Sequence, residues 1–202
     1  MRFVLASASP ARRRLLETAG IHPVVLPGSF DEESVPFADP DSYVRVLARG
    51  KAEDVLSRSA LLPSEPYFLL ACDSVLIFEG QVHGKPASPE QAVRRWKKMR
   101  GQEGQLFTGH YLLKSSGEKI TAFRERVVCT KVFFASANDH EIEKYVATGE
   151  PLRCAGAFAL EGQGGLFVER IDGCHSNVIG LSLPALRTMM IELGSGPTDF
   201  WK

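Results

Sequence analysis

A chain of 202 residues is long enough to bury a full core, as one domain or as two lobes sharing a cleft. Lys plus Arg and Asp plus Glu number 24 each, so the formal net charge is zero, and no nucleic-acid polymer is expected as a partner. No apolar run approaches membrane-spanning length, no signal-peptide pattern precedes the first strand, and the four cysteines form no C-x-x-C pair, which together predict reduced thiols, no membrane contact and a cytoplasmic setting.

Phe3 to Ala6 predicts a short buried strand, followed by a tight polar turn over Ser7 to Ser9 and a helix opening at Pro10. Ser9 suits the N-cap, a helix tolerates proline at its first position, and Gly20 is placed to end it. Arg12, Arg13 and Arg14 then fall in the first turn and a half, at the positive end of the helix dipole, where each cation costs about 0.3–1 kcal/mol. An anion held by free backbone N–H groups, the Ser7 and Ser9 hydroxyls and an arginine fork removes that conflict. The stretch therefore reads as a phosphate cradle, with Arg12 and Arg13 as candidate contacts.

Pro23 to Leu26 predicts a second strand. It leads into the acidic loop from Gly28 to Glu33, where Asp31 or Glu32, facing the arginine helix, can hold a divalent cation together with phosphates. Asp39 to Ser42 starts a long helix running to about Arg58, and Lys51 within it reads, taken alone, as surface lysine. Tyr67 to Cys72 is a continuous apolar run, a central strand buried on both faces. Asp73 is then expected at its carboxyl end, where open α/β sheets place ligand chemistry. Val75 to Phe78 follows, then a Glu79-Gly80 hairpin turn and the loop Gly84-Lys85-Pro86.

Ser88 to Gln91 has capping-box spacing and starts a helix to about Met99, whose Arg94, Arg95, Lys97 and Lys98 read as a solvated face. Gln105 to Lys114 and Lys119 to Phe134 predict two long strands joined by a turn at Ser115 to Gly117, and Cys72 and Cys129 read as core residues. Asn138 to Glu141 is a second capping box, opening a helix to Thr148. The glycine-rich stretch from Cys154 to Gly173 ends as a strand over Leu166 to Ile171. It reads either as backbone brought close to a ligand or as a chain of turns and bulges. A last amphipathic helix ends near Gly194, so residues 1–194 are expected as one domain of two lobes and 195–202 as a loose tail.

A phosphate cradle, two lysines on separate segments and an aspartate at a strand end suit phosphoanhydride cleavage. Lys51 and Lys85 can neutralise charge gathering on the phosphates, and Asp73 can deprotonate an attacking water. A Mg²⁺-like ion held by Glu32 or Asp73 with the phosphates completes such a site.

Four segments resemble the Maf family of nucleoside triphosphate pyrophosphatases, and together they cover nearly the whole chain. They are Leu5 to Leu16 (LASASPARRRLL), Phe30-Asp-Glu32, Cys72-Asp-Ser-Val75 with Gly84-Lys-Pro86, and Ala155-Gly-Ala-Phe158 through Asn177-Val-Ile-Gly-Leu181. The resemblance implies an α/β fold like that of the inosine triphosphatase group, a long twisted mixed sheet flanked by helices with two lobes around a cleft. It implies hydrolysis between the α and β phosphates, a divalent cation (Mg²⁺, Mn²⁺ or Co²⁺), removal of modified or non-standard nucleotides, a link to cell-division arrest, and a homodimer. By position it implies Asp73 as proton acceptor, Ser7, Ser9, Arg12, Lys51 and Lys85 as phosphate or substrate contacts, and Glu32 as an acidic site residue.

The specificity positions depart from the family pattern. The class favouring dTTP and UTP has Arg, Thr and Gln where this chain has Ala11, Ser74 and Glu161; the class favouring 7-methyl-GTP has Trp, Gln and Glu. Glu161 leans toward the second class, because a carboxylate accepts two hydrogens from a guanine edge, whereas Ala11 offers neither ring nor charge. Position 182, commonly proline in the family, is Ser182 here. The rival readings are a phosphatase releasing orthophosphate and a catalytically silent nucleotide-binding regulator of cell division, whose signature is loss of Asp73 or Lys85.

Overall fold

The computed structural model describes residues 1–58, 60, 62–117 and 119–201. In chain order the elements are β1 (Arg2–Leu5), α1 (Pro10–Thr18), β2 (Val24–Val25), α2 (Pro40–Ser57), β3 (Tyr67–Phe78), β4 (Gln81–His83), α3 (Pro89–Met99), β5 (Glu103–Ser115), β6 (Ile120–Phe134), α4 (Asp139–Ala147), β7 (Val168–Asp172), α5 (His175–Ile179) and α6 (Leu183–Glu192). The fold is α/β with a seven-stranded mixed sheet, ordered β2-β1-β3-β5-β6-β7 with β4 paired to β3. β1 runs parallel to β2 and β3, while β3–β4 and β6–β7 are antiparallel. The chain forms two compact units, residues 1–73, 108–128 and 180–202 in the first and 74–107 and 129–179 in the second.

In the first unit the strand period of two divides the core. Phe3 and Leu5 of β1 and Phe68, Leu70 and Cys72 of β3 pack with Leu16 of α1 and Leu186, Met189 and Met190 of α6. The alternate residues Val4, Ala6, Leu69 and Ala71 pack with Ala48, Ala52 and Val55 of α2. Helices cover both faces, which is why these strands are apolar without interruption. The segment after Ser195, expected as a loose tail, is folded: Phe200 meets Phe3 edge-on at 5.5 Å between ring centroids and Phe68 at 6.0 Å, and the Trp201 indole donates to the Ala19 carbonyl at 2.8 Å. Its aromatic pair, Phe200 and Trp201, supplies the apolar area that holds it down.

The second unit is built around Trp96 of α3, fully buried and edge-on to Phe134 and Tyr145 at 5.6 Å each, with its indole N–H on the Ala157 carbonyl at 2.8 Å. Asn138 and Glu141 form the expected reciprocal capping box of α4. At α3 only half of the box forms, because the Gln91 side chain accepts from Ala87 N–H instead of from Ser88.

Four further expectations need correction. β3 does not stop at Cys72 but runs through to Phe78, so Asp73 lies mid-strand; Asp73-Ser74 contains no glycine or proline, and the apolar run beyond it continues the strand. Arg95 is buried, not solvated, and donates to the Gly84 carbonyl at 2.6 Å. Cys129 is exposed, because the pleat of β6 turns the neighbouring Thr130 inward instead. Residues 163–167 form a short 3-10 helix, and β7 begins only at Val168.

Because Phe200 adds its ring to the core formed by Phe3 and Phe68, Phe200→Ala is expected to cost about 1–3 kcal/mol in urea denaturation, below the range for a fully buried phenylalanine. A tail lying free in solvent gives no change.

Candidate active site

The first unit gathers six of the predicted site residues around the start of α1 and the middle of β3. Ser9, in extended conformation, caps α1 by accepting from Arg12 N–H at 3.4 Å, and Pro10 occupies the first turn. No acidic residue stands in that turn. The Ser7 hydroxyl accepts from Ser9 N–H at 3.2 Å and from the Arg12 guanidinium at 3.1 Å. With both lone pairs engaged, the Ser7 hydroxyl has its proton left to offer, which suits an anion. Arg12 Nε donates to the Gly180 carbonyl at 2.7 Å, so its guanidinium is held over the turn. Arg13 instead points along the helix surface to Glu17 at 2.7 Å, a pairing one turn on.

α2 builds the second half of this arrangement. Asp54 receives Ser29 N–H at 2.8 Å and anchors the start of the acidic loop. One turn earlier Gly50 meets the Phe30 ring so closely that a Cβ there would lie 2.5 Å from Phe30 Cε2. A glycine in a helix interior costs about 1 kcal/mol relative to alanine; here it lets the loop lie against the helix. Beyond Phe30, Asp31 spends its carboxylate capping a short turn, accepting from Glu33 N–H at 3.1 Å. Glu32 reaches Lys51 at 2.7 Å, and the same ammonium bonds the Asp73 carboxylate. Of the two candidate acids in the loop, Glu32 is the one that faces the site.

Asp73 is 6% exposed. Burial raises its pKa, and the Lys51 ammonium and Arg12 guanidinium offset part of that rise. A base of raised pKa, screened from water and held by a cation, is the profile of a proton acceptor. Burial, with Asp73 and Glu32 nearby, also raises the Tyr43 phenol, which places that side chain within electrostatic reach of the same group.

Lys85, Ser74 and Glu161 belong to the second unit. The carbonyl of Gly84, which precedes Lys85, accepts from Arg95 and from Gly156 N–H at 3.3 Å. Glu161 is exposed on a turn clamped by Glu150, whose carboxylate accepts from Tyr145 Oη at 2.7 Å, Gly164 N–H at 2.9 Å and Gln163 N–H at 3.1 Å. Lys85 and Glu161 both act on Cys154, whose thiol burial pushes up to about 11, Glu161 adding to the rise and Lys85 opposing it. Arg95, Glu150 and Gly50 were missed in the sequence; a charged residue on the apolar side of a helical wheel, as Arg95 is, was the one available signal.

Among the described residues no group of three or more His, Cys, Asp or Glu side chains forms a metal cage. Mg²⁺ needs none, since it is commonly held by one or two carboxylates plus substrate phosphates and water. Glu32 and Asp73 converge on one ammonium, so the hard-oxygen donor pair fits such an ion. No helix among the described residues is long and apolar enough to cross a membrane.

A Maf-like protein family model matches residues 2–193. The curated relatives include proteins named nucleoside triphosphate pyrophosphatase from Trichormus variabilis, 54% identical with 99% of this chain and 98% of the relative covered, and from a Cyanothece species, 54% identical with both chains covered in full. Among solved structures the Staphylococcus aureus Ham1 protein aligns at TM-score 0.37 and 14% identity, over 68% of this chain and 73% of that one. The chain belongs to the Maf family.

Gly50→Ala is expected to strengthen α2 locally yet push Phe30 away and part Glu32 from Lys51. Displacement of that order lowers kcat by about tenfold or more, measured by pyrophosphate release, and Phe30→Leu in the same chain is expected to restore part of it.

Proposed function

We propose that this chain is a nucleoside triphosphate pyrophosphatase that cleaves the α–β phosphoanhydride, releasing a nucleoside monophosphate and pyrophosphate. The observation carrying the reading is the buried Asp73 carboxylate bonded to Lys51 beside the Ser7–Ser9–Arg12 turn. Membership of a family whose curated relatives bear that name supports it.

The triphosphate tail docks at the N-terminus of α1, where backbone N–H groups, the Ser7 and Ser9 hydroxyls and the Arg12 guanidinium meet its oxygens. Asp73 takes the proton of a water that attacks the α-phosphorus, and the bond to the bridging oxygen breaks as pyrophosphate departs. Lys51 offsets charge accumulating on the phosphates. Glu32 and Asp73 would hold a divalent cation (Mg²⁺, Mn²⁺ or Co²⁺), which when bound supplies further neutralisation of the departing pyrophosphate. Lys85 and Glu161 enter through the family motif, Lys85 as a phosphate contact and Glu161 as an acceptor for the base. Ala11 and Ser74 leave the base position without the ring, charge or amide found in either known class. Modified or non-standard nucleotides of the cytoplasmic pool are the substrate class this fits.

An α-labelled triphosphate tests the reaction: labelled monophosphate with unlabelled pyrophosphate is expected, and a labelled diphosphate contradicts it. A turnover screen over canonical-base and modified triphosphates, repeated with each of the three metals, identifies the base.

Asp73→Asn is expected to lower kcat by about 10²–10⁴-fold, the range for loss of a general base, with nucleotide binding still measurable. The folded-state pKa of Asp73 is raised, so its contribution to stability is present at low pH and lost as pH rises through the folded value. At pH 8 the Asn variant is therefore expected to melt no lower than wild type. Activity of the wild type is expected to fall on the acid side with an inflection above about 3.9, the ordinary aspartate value. Lys85→Ala is expected to reduce rate with little change in Tm; equal activity removes Lys85 from the site.

A further inference from the structure

His110, on β5 in the first unit, is 1% exposed, and the proposed chemistry makes no use of it. Its Nε2 lies 2.9 Å from the Ser182 backbone N–H, which can only donate, so Nε2 is the bare acceptor nitrogen. The proton then sits on Nδ1, 3.3 Å from the Arg126 carbonyl, which can only accept. The two backbone partners thus define a single neutral tautomer. Burial, with Arg12 adding to the effect, pushes the ring pKa down to about 4, so that tautomer persists through neutral pH.

Ser182 is 2% exposed, and a buried N–H without an acceptor is costly. The family's common proline has no N–H at this position; serine creates the donor that His110 satisfies. Two residues earlier, Gly180 turns the chain at φ 116 and presents its carbonyl to Arg12 Nε at 2.7 Å. Residues 180–182 therefore form a strap with Arg12 bonded at one end and His110 at the other.

We infer that His110 is a positioning residue for Arg12: by fixing the Ser182 N–H it sets the Gly180 carbonyl, and through it the angle at which the guanidinium meets phosphate. The inference rests on the reading of Arg12 as a phosphate contact.

Inorganic pyrophosphate is the probe, titrated calorimetrically into the full chain. His110→Leu fills the space without an acceptor and is expected to weaken pyrophosphate binding about three- to tenfold, the scale of a shifted rather than deleted contact. His110→Gln, whose Oε1 can accept from Ser182, is expected to return binding to within about twofold of wild type. Leu113→Ala, an equally buried change on the same strand that packs in the other core cluster, away from the strap, is the control for destabilisation and is expected to leave pyrophosphate affinity unchanged. Arg12→Met separates the two layers. If it binds pyrophosphate like wild type, the phosphate reading itself fails; if it loses affinity while His110→Leu does not, only the role of His110 is overturned.

A measurement on the unaltered chain covers the case in which His110→Leu does not fold. With ¹⁵N-labelled histidine, His110 is expected to show a protonated Nδ1 and a bare Nε2, and its Nε2 signal, assigned by its loss in His110→Gln, is expected to move as pyrophosphate is added. A signal that stays fixed through saturation overturns the inference.

Discussion

One ammonium between two carboxylates organises the first unit. Lys51 bonds both Glu32 and Asp73, and neither of the local features that bring them together makes sense without that meeting. Asp73 is taken out of water by strands apolar on both faces, and an isolated ionised carboxylate in such a place is strongly disfavoured. Lys51 and, to a lesser degree, Arg12 offset part of that penalty. The Asp73 pKa nonetheless stays raised, so the pair does not repay the whole cost of burial and is weak as a source of stability. Glu32 provides the slack: its exposed carboxylate can leave Lys51 at little cost.

The helices flanking this pair divide the work. α1 presents its N-terminus with a serine cap, a proline and no acid, an arrangement that attracts an anion. α2 carries Lys51, and through Gly50 and Asp54 it holds the loop that delivers Glu32. Asp31 is next to Glu32 in sequence and just as acidic, yet its carboxylate is consumed by the turn that aims its neighbour. Two adjacent acids, one structural and one facing the site, are told apart only by which backbone N–H lies in reach.

Much of this was legible in advance because it is local. The strand, serine turn and proline-led helix from Phe3 to Glu17 follow from capping rules and hydrophobic pattern, as do the capping box at Asn138 and the hairpin at Glu79-Gly80. The strand carrying Asp73 runs past the end that its sequence predicts: a two-residue polar interruption looks like a boundary, but without a glycine or proline the backbone has no reason to leave the sheet. Arg95 and Cys129 were misplaced for a related cause, since burial of one side chain depends on what packs opposite it. Gly50 and Glu150 were invisible because their partners, Phe30 and the 162–164 turn, are brought by tertiary contact. Lys51 gained a role only as a cation that a phosphate site needs; nothing in its helix distinguishes it from any surface lysine.

The chain path carries one more consequence. Arg12 lies near the beginning of the polypeptide, but the carbonyl that orients it belongs to Gly180, and the ring of Phe200 closes the core beneath β1. During synthesis, with the N-terminal region emerging first, the amino-terminal strands and helices wait for the closing stretch before the anion pocket has its anchor. A chain that has not yet been synthesised as far as Gly180, or that is clipped before it, therefore lacks the carbonyl that holds the Arg12 guanidinium.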